Sequence, residues 1–145
     1  MPTESPLSVA YAALARRDMT AKEVASLLEK KGFSEEESAG VVASLCQLGL
    51  VQDERTAGFV VAEVKSSRFK GRLSAAEKLE KRGVAPATAT EALVQLDPQE
   101  DLLKAKLFVL SKPWKNRSQA ARALATRGFE EECILSVIEE TFPEE

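Results

Sequence analysis

The 145-residue chain contains no histidine. Without an imidazole there is no Ser-His-Asp or Cys-His nucleophile system, no histidine general base and no Cys2His2 zinc site. The only two cysteines, Cys46 and Cys133, lie 87 residues apart with no CxxC pair, so they supply neither a four-cysteine metal site nor a disulfide framework. The seven glycines are scattered singly, in neither GxGxxG nor GxxxxGKS order, and no loop of the kind that cradles a nucleotide is present. No run of about 18 apolar residues occurs, so no membrane partner is expected. The N-terminus carries Glu4 where a secretory signal is basic, and a cytoplasmic location is expected. These absences argue against an enzyme and against any cofactor or metal. What remains, 44% hydrophobic and 30% charged residues, is the composition of a soluble globular chain. Its length suits one ordinary domain or a short repeat array.

The net charge is −3, but its sign is segregated. Residues 1–64 hold 6 basic and 10 acidic side chains, residues 65–127 hold 14 and 6, and residues 128–145 hold none and 7. A basic centre between acidic ends can attract a polyanion or an acidic protein face; it can equally be a solvated surface.

The chain repeats itself. Lys31-Gly32-Phe33, Arg82-Gly83-Val84 and Arg127-Gly128-Phe129 are each basic-Gly-apolar, with glycines 51 and 45 residues apart. Superposing the glycines aligns Val24, Ala75 and Ala120, then Leu28, Leu79 and Leu124 before the turn. After it, Val41, Ala92 and Val137 match, as do Val42, Leu93 and Ile138. Apolar positions four apart are helical spacing. Each glycine falls just past a helix end, where a positive φ is favoured and the next apolar residue can clasp back on the helix. Thr20-x-x-Glu23 and Ser34-x-x-Glu37 are capping boxes. Pro6, Pro86 and Pro98 suit first helical positions, and Pro113 follows a helix end. The reading is nine helices near 6–17, 20–31, 35–48, 53–69, 72–82, 86–96, 98–111, 118–127 and 130–141. Phe59–Val64 is β-branched enough for a strand, but it has no visible partner and is read as helix. The expected fold is all-α: three tandem three-helix, helix-turn-helix-like repeats (1–51, 52–97 and 98–145) in an elongated, curved array with neighbour-only contacts.

These residues resemble the bacterial RecX family, regulators of the RecA recombinase. Leu14-Ala15-Arg16-Arg17-Asp18-Met19-Thr20, Glu23-Val24 and Gly32-Phe33 look like the family's L-A-R-R-x-x-S-x-x-E-L…G-F opening. Leu45 and Gly49 through Ala57 look like its L-x-x-x-G-L-L-D-D-x-R-F-A stretch. Arg68-Phe69-Lys70-Gly71, Ala75, Leu79 and Arg82-Gly83-Val84 look like its R-x-x-K-G…K-G-I block, and Leu124, Arg127-Gly128-Phe129 and Ile134 match the third unit. The similarity spans about residues 7–141. Thr56 stands where the family usually has Phe, Gln52 where it often has Asp, and Ala75 for a larger aliphatic; the acidic net charge also departs from many members. The resemblance implies a non-enzymatic regulator. Such proteins are thought to lie in the groove of the RecA–DNA filament and to depress filament growth, ATP hydrolysis, strand exchange and repressor self-cleavage.

The candidate partner-binding residues are basic. Lys65, Arg68, Lys70 and Arg72 run through the junction of the fourth and fifth helices. Lys112, Lys115, Arg117 and Arg122 lie in a stretch with no acid between residues 102 and 129, so local pairing cannot neutralise them. They could meet phosphates or an acidic protein face. Arg16 and Arg17 end the first helix, where they complement its dipole or touch a partner. Asp53 and Arg55 are read as a local cap and ion pair at the start of the fourth helix. Trp114, the only tryptophan, either stacks on a base or anchors its loop against the eighth helix. Both cysteines are expected to be ordinary thiols, Cys133 the more exposed, and the tail Phe142–Glu145 to be frayed.

Two functions compete. One is a protein-binding regulator of the RecA filament; the other is direct DNA binding by a helix-turn-helix-like unit. Catalysis by Glu35-Glu36-Glu37 or Glu130-Glu131-Glu132 is a weaker third, since acids after a turn are explained by the dipole of the helix they open. A monomer is expected because no apolar face is left over.

Overall fold

A computed structural model of the chain describes residues 4–143. Among them, nine α-helices and no strands are found: α1 Pro6–Arg16, α2 Ala21–Lys30, α3 Glu35–Gln47, α4 Asp53–Ser66, α5 Arg72–Lys81, α6 Pro86–Leu93, α7 Pro98–Leu110, α8 Arg117–Thr126 and α9 Glu131–Thr141. Local signals account for the boundaries. Thr20 and Ser34 form full capping boxes with Glu23 and Glu37. Pro6, Pro86 and Pro98 each stand in the first turn. Phe59–Val64 is helical inside α4, where Val60, Val61 and Val64 share the buried face. α4 stops at Ser66, three residues short of expectation, because Ser67 is already extended. α6 likewise stops at Leu93, and the chain turns there through hydrogen bonds from Gln95 and Leu96 to the carbonyls of Ala92 and Leu93.

The helices pack as three triplets, each around its own core. Ala10, Ala13, Met19, Val24, Leu28, Leu45 and Val51 form the first. Ala57, Val60, Val61, Val64, Ala75, Leu79, Val84, Leu93 and Leu96 form the second. Ala105, Phe108, Val109, Ala120, Leu124, Phe129, Val137 and Ile138 form the third. The aligned pairs Val24/Leu28, Ala75/Leu79 and Ala120/Leu124 are all fully buried. The three turn glycines adopt φ of +99°, +86° and +85° at Gly32, Gly83 and Gly128. The amide after each glycine donates back to the carbonyl of Leu28, Leu79 or Leu124, which closes the helix end.

Adjacent triplets join by a repeated arrangement. The basic-Gly turn of one triplet sits on the start of the middle helix of the triplet before it. At the first junction Thr20 Oγ1 donates to the Arg82 carbonyl at 2.6 Å, and Ala21 N donates to Asp53 Oδ1 at 3.0 Å. At the second, Gly71 N donates to the Arg127 carbonyl at 3.0 Å, Leu73 N to the Gly128 carbonyl at 2.8 Å, and Arg72 N to Asp101 Oδ2 at 2.8 Å. In both, the residue preceding the middle helix reaches the carbonyl just before the turn glycine. In both, an aspartate from the next triplet's first helix takes the first helical amide, an N–H that no helix satisfies internally. Among the described residues no hydrogen bond or ion pair links the first triplet to the third.

Several expectations are corrected. Asp53 does not cap α4, which follows Gln52 with no side-chain cap; it caps α2 from the next triplet. Arg55 pairs not locally but with Asp18, 37 residues away, and that carboxylate also accepts from the buried Thr56 hydroxyl. Thr56 therefore serves a polar joint where a Phe could not. Trp114 anchors its loop on α7 rather than α8, with its indole N–H donating to the Val109 carbonyl at 2.8 Å. Cys46 is the exposed cysteine and Cys133 the half-buried one, packed on the third core. Phe142 packs on that core too, whereas Glu144 and Glu145 lie outside the described residues. Apolar surface is left over as well: Leu103, Leu107 and Leu110 of α7 are 59%, 50% and 63% exposed, on the side away from the core.

The glycines separate local strain from junction fit. Among the described residues a Cβ at Gly32 meets nothing within 4 Å, whereas one at Gly128 lies 2.5 Å from the backbone nitrogen of Ser74. Gly32→Ala should cost about 1–2 kcal/mol for its positive φ alone. Gly128→Ala should cost at least about 2 kcal/mol more, because it must also part the second and third triplets. Urea midpoints of the two variants measure the difference.

Candidate partner-binding surface

The second junction brings the two predicted basic stretches together. Phe69, in the connector between α4 and α5, leaves its own triplet and packs on the third core. Its ring lies edge-on to Phe108 at 5.1 Å, and Phe108 is 5.5 Å from Trp114. This row of three aromatics crosses from one connector to the other, and each ring carries a cation. Arg68 lies 5.3 Å from the Phe69 centroid, Arg127 5.0 Å from Phe108 and Lys112 4.7 Å from Trp114. Each such contact contributes roughly 0.5–1 kcal/mol at an exposed site and holds a long side chain in place. The cations stay exposed above the rings, so the result is a positive ridge on a rigid apolar base.

The predicted residues divide by what they touch. Lys65, Lys70, Lys115, Arg117 and Arg122 are exposed, and among the described residues none has an acidic partner within ion-pair distance; the same holds for Arg68 and Lys112. Arg72 is structural: its amide binds Asp101, and its half-buried side chain lies 3.8 Å from Glu130. Other cations of the acid-free stretch are also committed. Lys104 donates to the carbonyls of Val64 and Lys70, and Lys106 pairs with Glu140. Arg127, the basic residue of the third turn motif, also belongs to the ridge; no sequence signal put it over Phe108.

Arg16 and Arg17 lie far along the chain from the ridge, by the first junction. There an open cleft of about 710 Å³ is lined by Arg17, Asp18, Glu23, Glu77, Lys78, Lys81 and Arg82. A smaller hollow beside it, about 290 Å³, adds Lys22 and Lys30. Lys22 and Lys30 had not been singled out; their convergence with Lys81 depends on how two triplets meet. Arg82 closes the base of the cleft. Its Nε and Nη2 donate to the Glu23 carboxylate at 3.1 and 3.0 Å, and Nη2 also reaches the Asp18 carbonyl.

Burial works to raise the Glu23 carboxyl, but hydrogen bonds from Arg82 and from the Thr20 amide outweigh it and hold the group below the usual glutamate range. The same bond raises Arg82. Asp101 goes the other way: desolvation lifts it above the usual aspartate range despite the Arg72 amide. Burial beside Asp101 and Glu130 pushes the Cys133 thiol up to about 11, so it is not a ready nucleophile.

No family model matches the chain. Individual proteins do. Over 145 residues it is 30% identical to the regulatory protein RecX of Chlorobaculum tepidum, covering 97% of this chain and 91% of that one. The chain belongs to the RecX family. It is also 31% identical over 114 residues to the RecX of Mycolicibacterium smegmatis, spanning 61% of that longer relative, and 31% identical to that of Chromohalobacter salexigens over 90% of this chain. The crystal structure of RecX from Lactobacillus salivarius superposes with a TM-score of 0.78 over 93% of both chains at 22% identity, which shows that the fold is shared. No helix among the described residues is long and apolar enough to cross a membrane. RecX-family chains are named as regulators, and the surface described here has the parts of a binding face.

The two junctions should respond oppositely to acid. A carboxyl depressed in the folded state stabilises above its unfolded pKa and loses that contribution as pH falls through the folded value. Glu23 therefore supports the first junction at neutral pH and releases it below about pH 4.5. An elevated carboxyl costs stability at neutral pH, and acidification relieves the cost. Glu23→Gln should lower stability by about 2 kcal/mol at pH 7 and flatten the acid limb. Asp101→Asn, which keeps an acceptor for the Arg72 amide, should leave pH 7 stability unchanged or raise it. Urea unfolding between pH 3 and 7, about the range where carboxyls titrate, separates the two.

Proposed function

We propose that this chain regulates the RecA recombinase, mainly as an inhibitor. It lies along the groove of the RecA–DNA filament and limits filament growth, ATP hydrolysis and strand exchange. In this reading residues 1–51, 52–97 and 98–145 act as consecutive repeats that follow the groove, the chain works in the cytoplasm, and it performs no chemistry of its own. Membership of the RecX family carries the proposal. The distribution of charge supports it. Cations with no acidic partner among the described residues gather at the two junctions, on the ridge of Arg68, Lys112 and Arg127 and in the cleft of Lys22, Lys30 and Lys81, where Arg17 pairs with Glu23 at 3.9 Å, so an acidic or phosphate-lined track could be followed from joint to joint.

Direct reading of DNA by a helix-turn-helix-like unit has less support. The third helix of a unit would enter the groove, yet α3, α6 and α9 contain no lysine or arginine, and α3 and α9 open on runs of glutamate. Any contact with DNA then comes through the connectors.

The test is single-strand-DNA-dependent ATP hydrolysis by the cognate RecA with this protein titrated in. The rate should fall at substoichiometric ratios. Joint reversal of Arg68, Lys70 and Lys112 to glutamate should raise the half-inhibitory concentration by about tenfold, equivalent to about 1.4 kcal/mol of lost binding. An unchanged rate with active RecA rejects the proposal. Salt-dependent binding to bare DNA would then test the other reading.

A further inference from the structure

Two halves of the junction that joins the triplets are left uncovered, one at each end of the array. The covered halves show what each looks like when occupied. On α2 and α5 the start of the helix is shielded: Thr20 and Gly71 are buried, and the amides of Ala21 and Arg72 have aspartate acceptors. On α8 the same positions are bare. Lys115, Asn116, Arg117 and Ser118 are all exposed, and the Arg117 amide has no acceptor among the described residues. The turns show the converse. Gly83 lies against Lys22 and Gly128 against Ser74, whereas a Cβ on Gly32 would meet nothing within 4 Å among the described residues. Lys31 and Gly32 are exposed, while Gly128, Phe129 and Val84 are buried.

The geometry points to a second copy of this chain as the occupant: the Lys31-Gly32-Phe33 turn of one copy docks on the start of α8 of another, head to tail. Every part of the internal junction has a counterpart. The Lys31 carbonyl stands where those of Arg82 and Arg127 stand. Asn116, which precedes α8, stands where Thr20 and Gly71 stand. The aspartates that cap α2 and α5 lie 30 and 27 residues before their turn glycines, and Glu4, just ahead of α1 rather than inside it, lies 28 before Gly32. Charge agrees as well. At the second junction Arg72, first residue of its helix, faces Glu130 just after the turn. In the intermolecular joint Arg117, first residue of α8, faces Glu35, one position further on, with Glu36 and Glu37 behind it and Lys115 and Arg122 beside it. The contact is heterologous, so it leaves free ends that take further copies and builds open chains rather than a closed dimer. Inside the molecule the joint is made by tethered segments at high effective concentration; between molecules that advantage is absent. The chain is therefore a monomer when dilute and lengthens when concentrated or held side by side on a common track.

Sedimentation velocity of the full chain, followed up to about 1 mM, reads the association. The weight-average mass should rise progressively past that of a dimer and fall with added salt. Arg117→Glu and Glu35→Arg, both at exposed positions, should each return it to a monomer by at least about a tenfold weakening, and a chain carrying both should regain association. Register is tested with Lys31→Cys and Asn116→Cys together, in a Cys46→Ser, Cys133→Ser background. Mild oxidation should give a ladder of oligomers, whereas either single cysteine should stop at a dimer. A constant monomer mass with no ladder overturns the inference, as does a mass that stops at dimer or is indifferent to both charge reversals. Neither result depends on RecA, so failure here leaves the proposed function standing.

Discussion

The architecture depends on one polar contact made twice: the carbonyl before a turn glycine received at the start of the preceding triplet's middle helix. The three cores are separate, and each is small. What makes them one object is a set of backbone groups that two helix ends would otherwise leave without partners. A left-handed turn exposes its carbonyl, and the start of a helix supplies the donor, the Thr20 hydroxyl at one joint and the Gly71 and Leu73 amides at the other. The glycines are needed twice over, once for φ and once because at Gly128 any Cβ would hold the triplets apart. Side chains then differ between the joints. The first adds Arg82, Glu23, Asp18, Arg55 and Thr56; the second adds an aromatic row and Lys104.

The placement of charge follows from the same joints. Middle helices and connectors carry many of the cations, and two of the third helices, α3 and α9, carry glutamates at their starts. Helix dipoles favour the latter arrangement. Because the connectors lie at the joints, positive charge accumulates where triplets meet. A surface of this kind favours an extended partner touched at intervals over a small molecule held in a pocket.

Much of this was legible in the sequence. Periodicity, capping boxes, prolines and the three basic-Gly turns delimited all nine helices and picked out Val24, Leu28 and their equivalents as core. Residues acting within a few positions of themselves were read well. Those acting across a joint were not. Asp53 looked like a cap for its own helix because a cap is local by default, yet its acceptor serves an amide 32 residues earlier. Arg72 and Arg127 look alike in sequence; one is tied into the junction and the other rides on Phe108. Lys22 and Lys30 drew no attention because nothing in a linear reading places them around one cleft with Lys81. The cysteines were ranked wrongly because the glutamates around Cys133 suggested exposure, while its helical phase points it at the third core.

The wiring also orders events during synthesis. The first core is complete once Val51 has left the ribosome, and its contacts are short in sequence, which favours rapid local folding. The Thr20 hydroxyl, however, waits for a carbonyl 62 residues downstream, and the start of α2, capped only by its own box with Glu23, stays uncovered until the second turn emerges. The nascent chain therefore advances in steps, each finished body exposing a receptive helix end until its successor arrives, and domain-by-domain folding of this kind lets every joint close in the order in which its halves are made.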